Sequence, residues 1–361
     1  ILSHPAVKPS LVTSAPTIST GTPDLDKLLL HQGLPLGTSL LVEERGNTDF
    51  SSILTKVFAS QGIMHNRVAG GKKEINTHVI VVGYGAAWAN ELPGLYQGSK
   101  KEQQRAKIAV NESKISISNL AEPKQLRESM KIAWRYGLNQ KSGSSATDVS
   151  LESQEMEKND YCYQFDITQR LSPAPGGQEI SFVPVSDAIP KQIRSIVEQN
   201  VKNGRVVRIV MPHLLHPLLY PPQFSSSFKL LPILHSLRAI LRQYPHNVAL
   251  VASLPTELYS RQDTLARNVE MLMDSVIELQ QFNQEMMELI EKSYKNEPSK
   301  ILHGLVQIYK LPSLSERGLM TVHMGEYAFK NGKKKFEIEE WGIPVEDDSK
   351  DEAATTKDIE F

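Results

Sequence analysis

At 361 residues, with 40% apolar and 22% charged residues, the chain has the make-up of a soluble globular protein able to bury one sizeable core. Its 40 basic and 41 acidic residues nearly cancel, which excludes a global field drawing it to nucleic acid or membrane and leaves only local patches. The lone Cys162 excludes an internal disulfide framework and points to a reducing compartment, cytoplasmic and also nuclear; no apolar run reaches the roughly 18 residues that cross a bilayer.

Residues 1–18, rich in Pro, Ser and Thr and without periodicity, read as a loose, disordered arm. Thr22-Pro23-Asp24-Leu25-Asp26 then opens a helix, with a threonine cap, proline in the first turn and carboxylates at the positive end of the helix dipole. After the turn Gly33–Gly37 comes a strand, Ser39–Val42, and then a polar turn into a helix carrying Ile53, Leu54, Val57 and Phe58 and ending near Gly62. Thr77–Tyr84 is almost continuous in β-branched residues, which suits a strand buried on both faces of a parallel sheet. Flexible polar insertions are expected at about 97–125 and 140–160, on either side of the apolar-basic segment Lys131–Tyr136. Tyr161–Asp166 reads as a short strand, and Lys191–Lys202 as an amphipathic helix leading into strand Arg205–Met211.

A Pro-, His- and Ser-rich loop at 212–228 precedes the periodic helix Phe228–Arg242 and strand Asn247–Ser253, followed by a loop holding Arg261 and Arg267. Strands follow at Met273–Leu279 and Gly304–Tyr309. Two alternating runs, Thr321–Phe329 and Lys334–Glu340, are joined through Asn331-Gly332, a strong hairpin signal. The last residues, 346–361, read as an acidic disordered tail. Strand–helix repeats ending in hairpin strands predict an α/β fold: a central, mostly parallel twisted sheet flanked by helices over 19–345, with antiparallel strands at its C-terminal edge.

The corner LGTSLLVEERGNTDFSSIL, residues 36–54, has the layout of a phosphate-binding loop. Such a loop needs two glycines so that backbone amides curl around phosphate, a lysine for the β/γ charge, and a hydroxyl for magnesium. Alignment on the strand end puts Glu44 at the first glycine, then Arg45, Gly46, Asn47 and Thr48, with Asp49 at the second glycine, Phe50 at the lysine and Ser51 at the hydroxyl. Only Ser51 keeps its chemistry. Glu43, Glu44 and Asp49 put negative charge where polyphosphate would sit, which favours a structural corner over an unorthodox ATP site. The later strand that should end in a magnesium-holding acid ends in Met211-Pro212-His213.

His213 and His216 are flanked by Pro212 and Pro217 and have no third ligand at metal spacing, so no metal site is expected. Cys162, between two tyrosines, reads as a packed thiol rather than a nucleophile. Lys333-Lys334-Lys335 at the hairpin and the arginine loop are the places where RNA phosphates could be met, with an ordinary solvated turn as the plainer reading of the lysines.

The string Ser19-Thr20-Gly21-Thr22-Pro23-Asp24-Leu25-Asp26-Lys27-Leu28-Leu29, followed by Gly33–Gly37, strand and turn, resembles the opening of RecA-like ATPase domains. Glu43-Glu44, Phe58–Ile63, Met130–Tyr136, Tyr161–Asp166 and Tyr327–Lys330 are more specifically similar to the Elongator complex protein four family, over about Ser19 to Pro344. That resemblance implies a RecA-like subunit with a degenerate P-loop and no catalytic residues. It implies a hetero-hexameric ring with Elongator proteins five and six, accessory to the Elongator core subunits in modifying the wobble uridine of tRNA. It implies no cofactor in this chain, with ATP open in the assembled ring, and makes Arg261 and Arg267 candidate tRNA contacts. Two other readings stand beside it: an ATPase subunit whose site is completed at subunit interfaces, and a recombinase-like DNA-binding paralogue.

Overall fold

The computed structural model describes residues 4–67, 75–98, 161–313 and 325–342. Within the stretch expected to be a loose arm, Lys8–Pro9 (β1) pairs antiparallel with Pro16–Ile18 (β2), and β2 pairs with Leu34–Pro35 (β3). Ala6, Val7, Thr17 and Ile18 are buried, and Ser10 shares a 2.8 Å hydrogen bond with His31. That corrects the arm reading from Ala6 onward. Composition concealed it because a few apolar side chains and a covered backbone ladder suffice to anchor a short strand.

Pro23–Leu28 (α1) follows, with proline in its first turn and Leu25 and Leu28 buried. Its Asp26 turns back to accept from Ser19 Oγ at 2.5 Å, Thr20 N at 2.7 Å and Thr20 Oγ1 at 2.6 Å, so the Ser-Thr-Gly string is a knot held by one carboxylate. Thr22, expected to cap α1, makes no side-chain cap bond.

The chain then lays down Ser39–Arg45 (β4), Phe50–Met64 (α2), Thr77–Val82 (β5), Pro93–Leu95 (β6), Phe165–Arg170 (β7) and Ile180–Val183 (β8). Ile189–Lys202 (α3), Val206–Met211 (β9), Ser227–Gln243 (α4), Val248–Pro255 (β10) and Thr264–Leu272 (α5) continue the alternation. Ser275–Gln281 (β11), Gln284–Ser293 (α6), Gly304–Lys310 (β12), Tyr327–Asn331 (β13) and Phe336–Glu340 (β14) complete the described elements.

The main sheet has nine strands in the order β14-β13-β12-β11-β4-β10-β9-β5-β8. Neighbours from β8 through β11 are parallel, and β11 to β14 are antiparallel. This is the architecture expected from the sequence, including the hairpin through Asn331-Gly332. Strand alternation divides the core. Leu40, Val42, Val79, Val81 and Val251 pack with α2, whereas Leu41, Ile80, Val82, Val207 and Ile209 pack with α3 and α4. The fully buried Arg208 points to the α2 face, giving Nη1 to Ser19 O at 2.8 Å and stacking 4.6 Å from the Phe58 ring centre. It crosses α2 at Gly62, where an added Cβ would lie 2.7 Å from Arg208 Cδ.

Three local expectations change. Tyr161–Gln164 is not strand, and β7 begins at Phe165. Arg267 lies on α5 rather than in a loop, and α6 had not been read at all. The expected insertions beyond Gly98, the Lys131–Tyr136 segment and the acidic tail lie outside the described residues.

Candidate functional site: a phosphate corner occupied by a glutamate

In a mostly parallel sheet, ligands meet the loops at the carboxyl ends of the strands. Here those loops follow β4, β5, β9 and β10. On β4 the side chains alternate, so Glu44 faces α2 and Glu43 faces the opposite layer.

Glu44 is 4% exposed and its carboxylate closes over the start of α2. Oε1 accepts from Thr48 Oγ1 at 2.7 Å and from Phe50 N at 2.8 Å, while Oε2 accepts from Ser51 N at 2.8 Å. Free amides at a helix N-terminus, backed by the helix dipole, are the groups that hold a phosphate in nucleotide-binding loops. In this chain a carboxylate from the preceding strand satisfies them. The sequence placed Glu44 as a charge that would repel phosphate; the structure has it in the phosphate's place.

The rest of the turn is arranged around that bond. Gly46 has φ of 115°, a left-handed conformation that lets the chain reverse against Gln281. Arg45 and Asn47 are exposed. Asp49 holds the cap position of α2 but makes no cap bond; its Oδ1 lies 2.6 Å from His213 Nε2. His213 Nδ1 in turn lies 2.6 Å from Tyr84 OH, and the His213 amide donates to Ser253 Oγ at 2.8 Å. The end of β9, where an ATPase would carry an acid for magnesium, supplies a histidine that ties β5, β9, β10 and the turn together. Phe50, at the lysine position, packs edge-on against Phe329 at 5.1 Å and His303 at 6.2 Å, which fixes the helix start to the hairpin edge. Ser51 is buried and its amide is committed to Glu44.

On the other face, Arg261 reaches into a cluster that the sequence did not reveal. It makes paired bonds to Glu270 at 2.8 and 2.9 Å, its Nε is 3.2 Å from Glu43 Oε2, and its guanidinium lies 3.2 Å from the Tyr309 ring centre. Tyr309 OH donates to Glu278. Burial, and after it the nearby Glu270 charge, pushes the Glu43 carboxyl well above the usual range. Glu43 is fully enclosed, and a buried acid is either paired with a cation or held in its protonated form. An acid at the end of an otherwise apolar strand was the available signal. Arg267 is exposed beside this cluster and donates Nε to Arg261 O at 3.2 Å.

His216 sits edge-on to His213 with ring centres 6.0 Å apart, and His235 and His246 are exposed elsewhere. Among the described residues no group of three His, Cys, Asp or Glu side chains is placed to hold a metal. Cys162 is half-buried, and burial pushes its thiol up to about 12. Among the described residues no helix is long and apolar enough to cross a membrane.

The class of protein so defined is an α/β domain: a large, mostly parallel mixed sheet flanked by helices, with a strand–turn–helix corner at the carboxyl end of a central strand whose anion is supplied from within. The chain belongs to the PAXNEB protein family, whose model matches residues 1–360. It is 45% identical over 356 residues to Elongator complex protein 4 of Saccharomyces cerevisiae, covering 96% of this chain and 77% of that one. The protein of the same name from Schizosaccharomyces pombe is 27% identical, over 92% and 86% of the two chains, and that of Homo sapiens is 26% identical, over 95% and 80%.

Proposed function

We propose that the chain is a non-catalytic RecA-like subunit of an Elongator complex. It forms a hetero-hexameric ring with Elongator proteins five and six, joins the core subunits, and supports tRNA binding during wobble uridine modification in the cytoplasm and nucleus. The observation that carries the non-catalytic reading is the Glu44 carboxylate on the amides of Phe50 and Ser51. An ATP phosphate would have to displace it, and three hydrogen bonds at 2.7–2.8 Å oppose that exchange. The Asp49–His213 contact and Phe50 add to it, since neither leaves a cation for the β/γ-phosphates. The kinship to Elongator complex protein 4 over almost the whole chain supports the assembly and its RNA substrate. Of the two arginines expected at tRNA, Arg261 is committed to Glu43 and Glu270, while Arg267 is exposed and open to a phosphate.

Two measurements test this. Titrating the full chain with magnesium-ATP in a calorimeter is expected to give no binding in the micromolar range; a micromolar dissociation constant overturns the non-catalytic reading. Native mass spectrometry of the chain mixed with proteins five and six is expected to give a hexamer; a persistent monomer overturns the ring.

A further inference from the structure

The lysines at the hairpin turn are not an isolated solvated loop. β7, from the first half of the chain, runs beside that turn: Ile167 N donates to Lys334 O at 2.8 Å. The pairing brings Gln164 and Asp166 next to Lys334 and Lys335, and sets the Tyr96 ring beside both lysines. Lys335 Nζ lies 3.7 Å from the Tyr96 ring centre and donates to Gln164 Oε1 at 2.9 Å; Lys334 Nζ is 5.6 Å from the same ring. Asp166 is wholly buried, with Oδ1 accepting from Thr168, and its Oδ2 lies 3.7 Å from Lys334 Nζ. One buried carboxylate therefore holds the lysine in register without cancelling the patch. Among the described residues, Asp166 is buried against Lys334, Glu337 on β14 lies 3.6 Å from Lys330, and Glu339 and Glu340 are exposed further along β14, so no acid pairs with Lys333 or Arg170 at the turn itself. No exposed acid lies on β6 or β7. Lys334 is 46% exposed, and Lys333 and Arg170 are exposed. Arg170 stands at the end of β7, where the ladder to β6 shifts register between Pro93 and Gly94.

Basic side chains interleaved with an aromatic ring are what a polyanionic nucleic-acid backbone engages without reading sequence. We infer that the surface formed by Lys333, Lys334, Arg170 and the Lys335–Tyr96 pair is an RNA-backbone site. This assignment rests on the proposed role of the chain as an RNA-binding subunit. It shifts the main contact away from the arginine loop, where Arg261 already has two carboxylate partners.

The test uses the chain assembled with its partner proteins and a fluorescein-labelled tRNA, with affinity measured across a salt series. Replacing Lys333, Lys334 and Arg170 with alanine removes three phosphate contacts. It is expected to weaken binding roughly tenfold or more near 0.1 M salt and to flatten the log K against log salt slope by about 2 to 3 units. Exchanging the same positions to keep charge (Lys333→Arg, Lys334→Arg, Arg170→Lys) is expected to leave both quantities near wild type. The single change Lys333→Glu, at the exposed turn tip, gives the same direction with least risk to folding. If the wild-type assembly binds tRNA and the alanine and glutamate variants bind equally well with unchanged slope, this site is overturned and the proposed function stands. If the wild-type assembly does not bind tRNA, both fall.

Discussion

Replacing Glu44 with alanine removes the anion that three donors share. Two of them, the amides of Phe50 and Ser51, begin α2 and have no intrahelical acceptor; the third is Thr48 Oγ1. A buried donor left unpaired costs about 1–3 kcal/mol, and loss of a charge from the positive end of a helix costs about 0.3–2 kcal/mol. Water can reach part of the turn, because Thr48 and Phe50 are only half-buried. A net loss of about 3 kcal/mol is therefore expected, or roughly 4–5 °C in Tm for a domain of this size. Glu44→Gln keeps one acceptor oxygen without the charge and should lose about half as much. The assay is thermal unfolding of the full chain with and without sulfate, compared at equal salt with wild type because sulfate stabilises folded proteins generally. The alanine variant should gain more from sulfate than wild type does, since the emptied corner again offers free amides. A loss below about 1 kcal/mol, no larger than an ordinary surface change, would refute the reasoning.

Phe50→Lys, which restores the P-loop lysine by name, is expected to confer no magnesium-ATP binding in calorimetry while Glu44 remains; it should also lower Tm by removing the edge-on contacts to Phe329 and His303. Arg261→Ala leaves Glu43 and Glu270 unneutralised and should cost about 2 kcal/mol in denaturant unfolding, discounted because the guanidinium is about a third exposed; Arg261→Lys should recover only part, since lysine cannot make the paired bond. Glu43 binds its proton more tightly in the folded chain than in the unfolded one. Its contribution therefore favours the fold at low pH and is lost as pH rises through the raised folded value. Asp26, raised by burial to about 6, acts in the same direction between about pH 4 and 6. Glu43→Gln should flatten the fall in denaturation midpoint toward alkaline pH; an unchanged pH profile would remove Glu43 from the account.

The sheet was legible wherever the chain alternates or runs continuously in β-branched residues. Thr77–Val82 and Val206–Met211 are buried at every position, as continuous runs in a parallel centre must be. The hairpin was legible because Asn-Gly is local turn chemistry. β1 to β3 were not, since their residues are mainly Pro, Thr and Lys and their burial comes from partners distant in sequence. β6 was hidden for a similar reason, since Gly94 pairs with Asp166 across a gap that no periodicity spans, and the strand read at Tyr161–Asp166 overlaps β7 only at its start. At the candidate site the loss of the lysine and the glycines could be read directly. The direction of Glu44 could not, because no capping spacing links a residue on a strand to amides six and seven positions later. His213 reads as half of a histidine pair that lacks a third ligand, and only the fold brings Asp49 and Tyr84 to its two ring nitrogens.

The glutamate in the corner changes what the folding equilibrium depends on. A protein that keeps a free ligand at such a place gains stability that varies with the logarithm of that ligand's concentration. A side chain tethered six residues away is always present at the same effective concentration, whatever the state of the surrounding solution. The helix start is thus set when the chain folds, by a carboxylate that the chain itself carries. In an assembly of related subunits, such a chain would serve as a fixed reference against which any moving neighbour works.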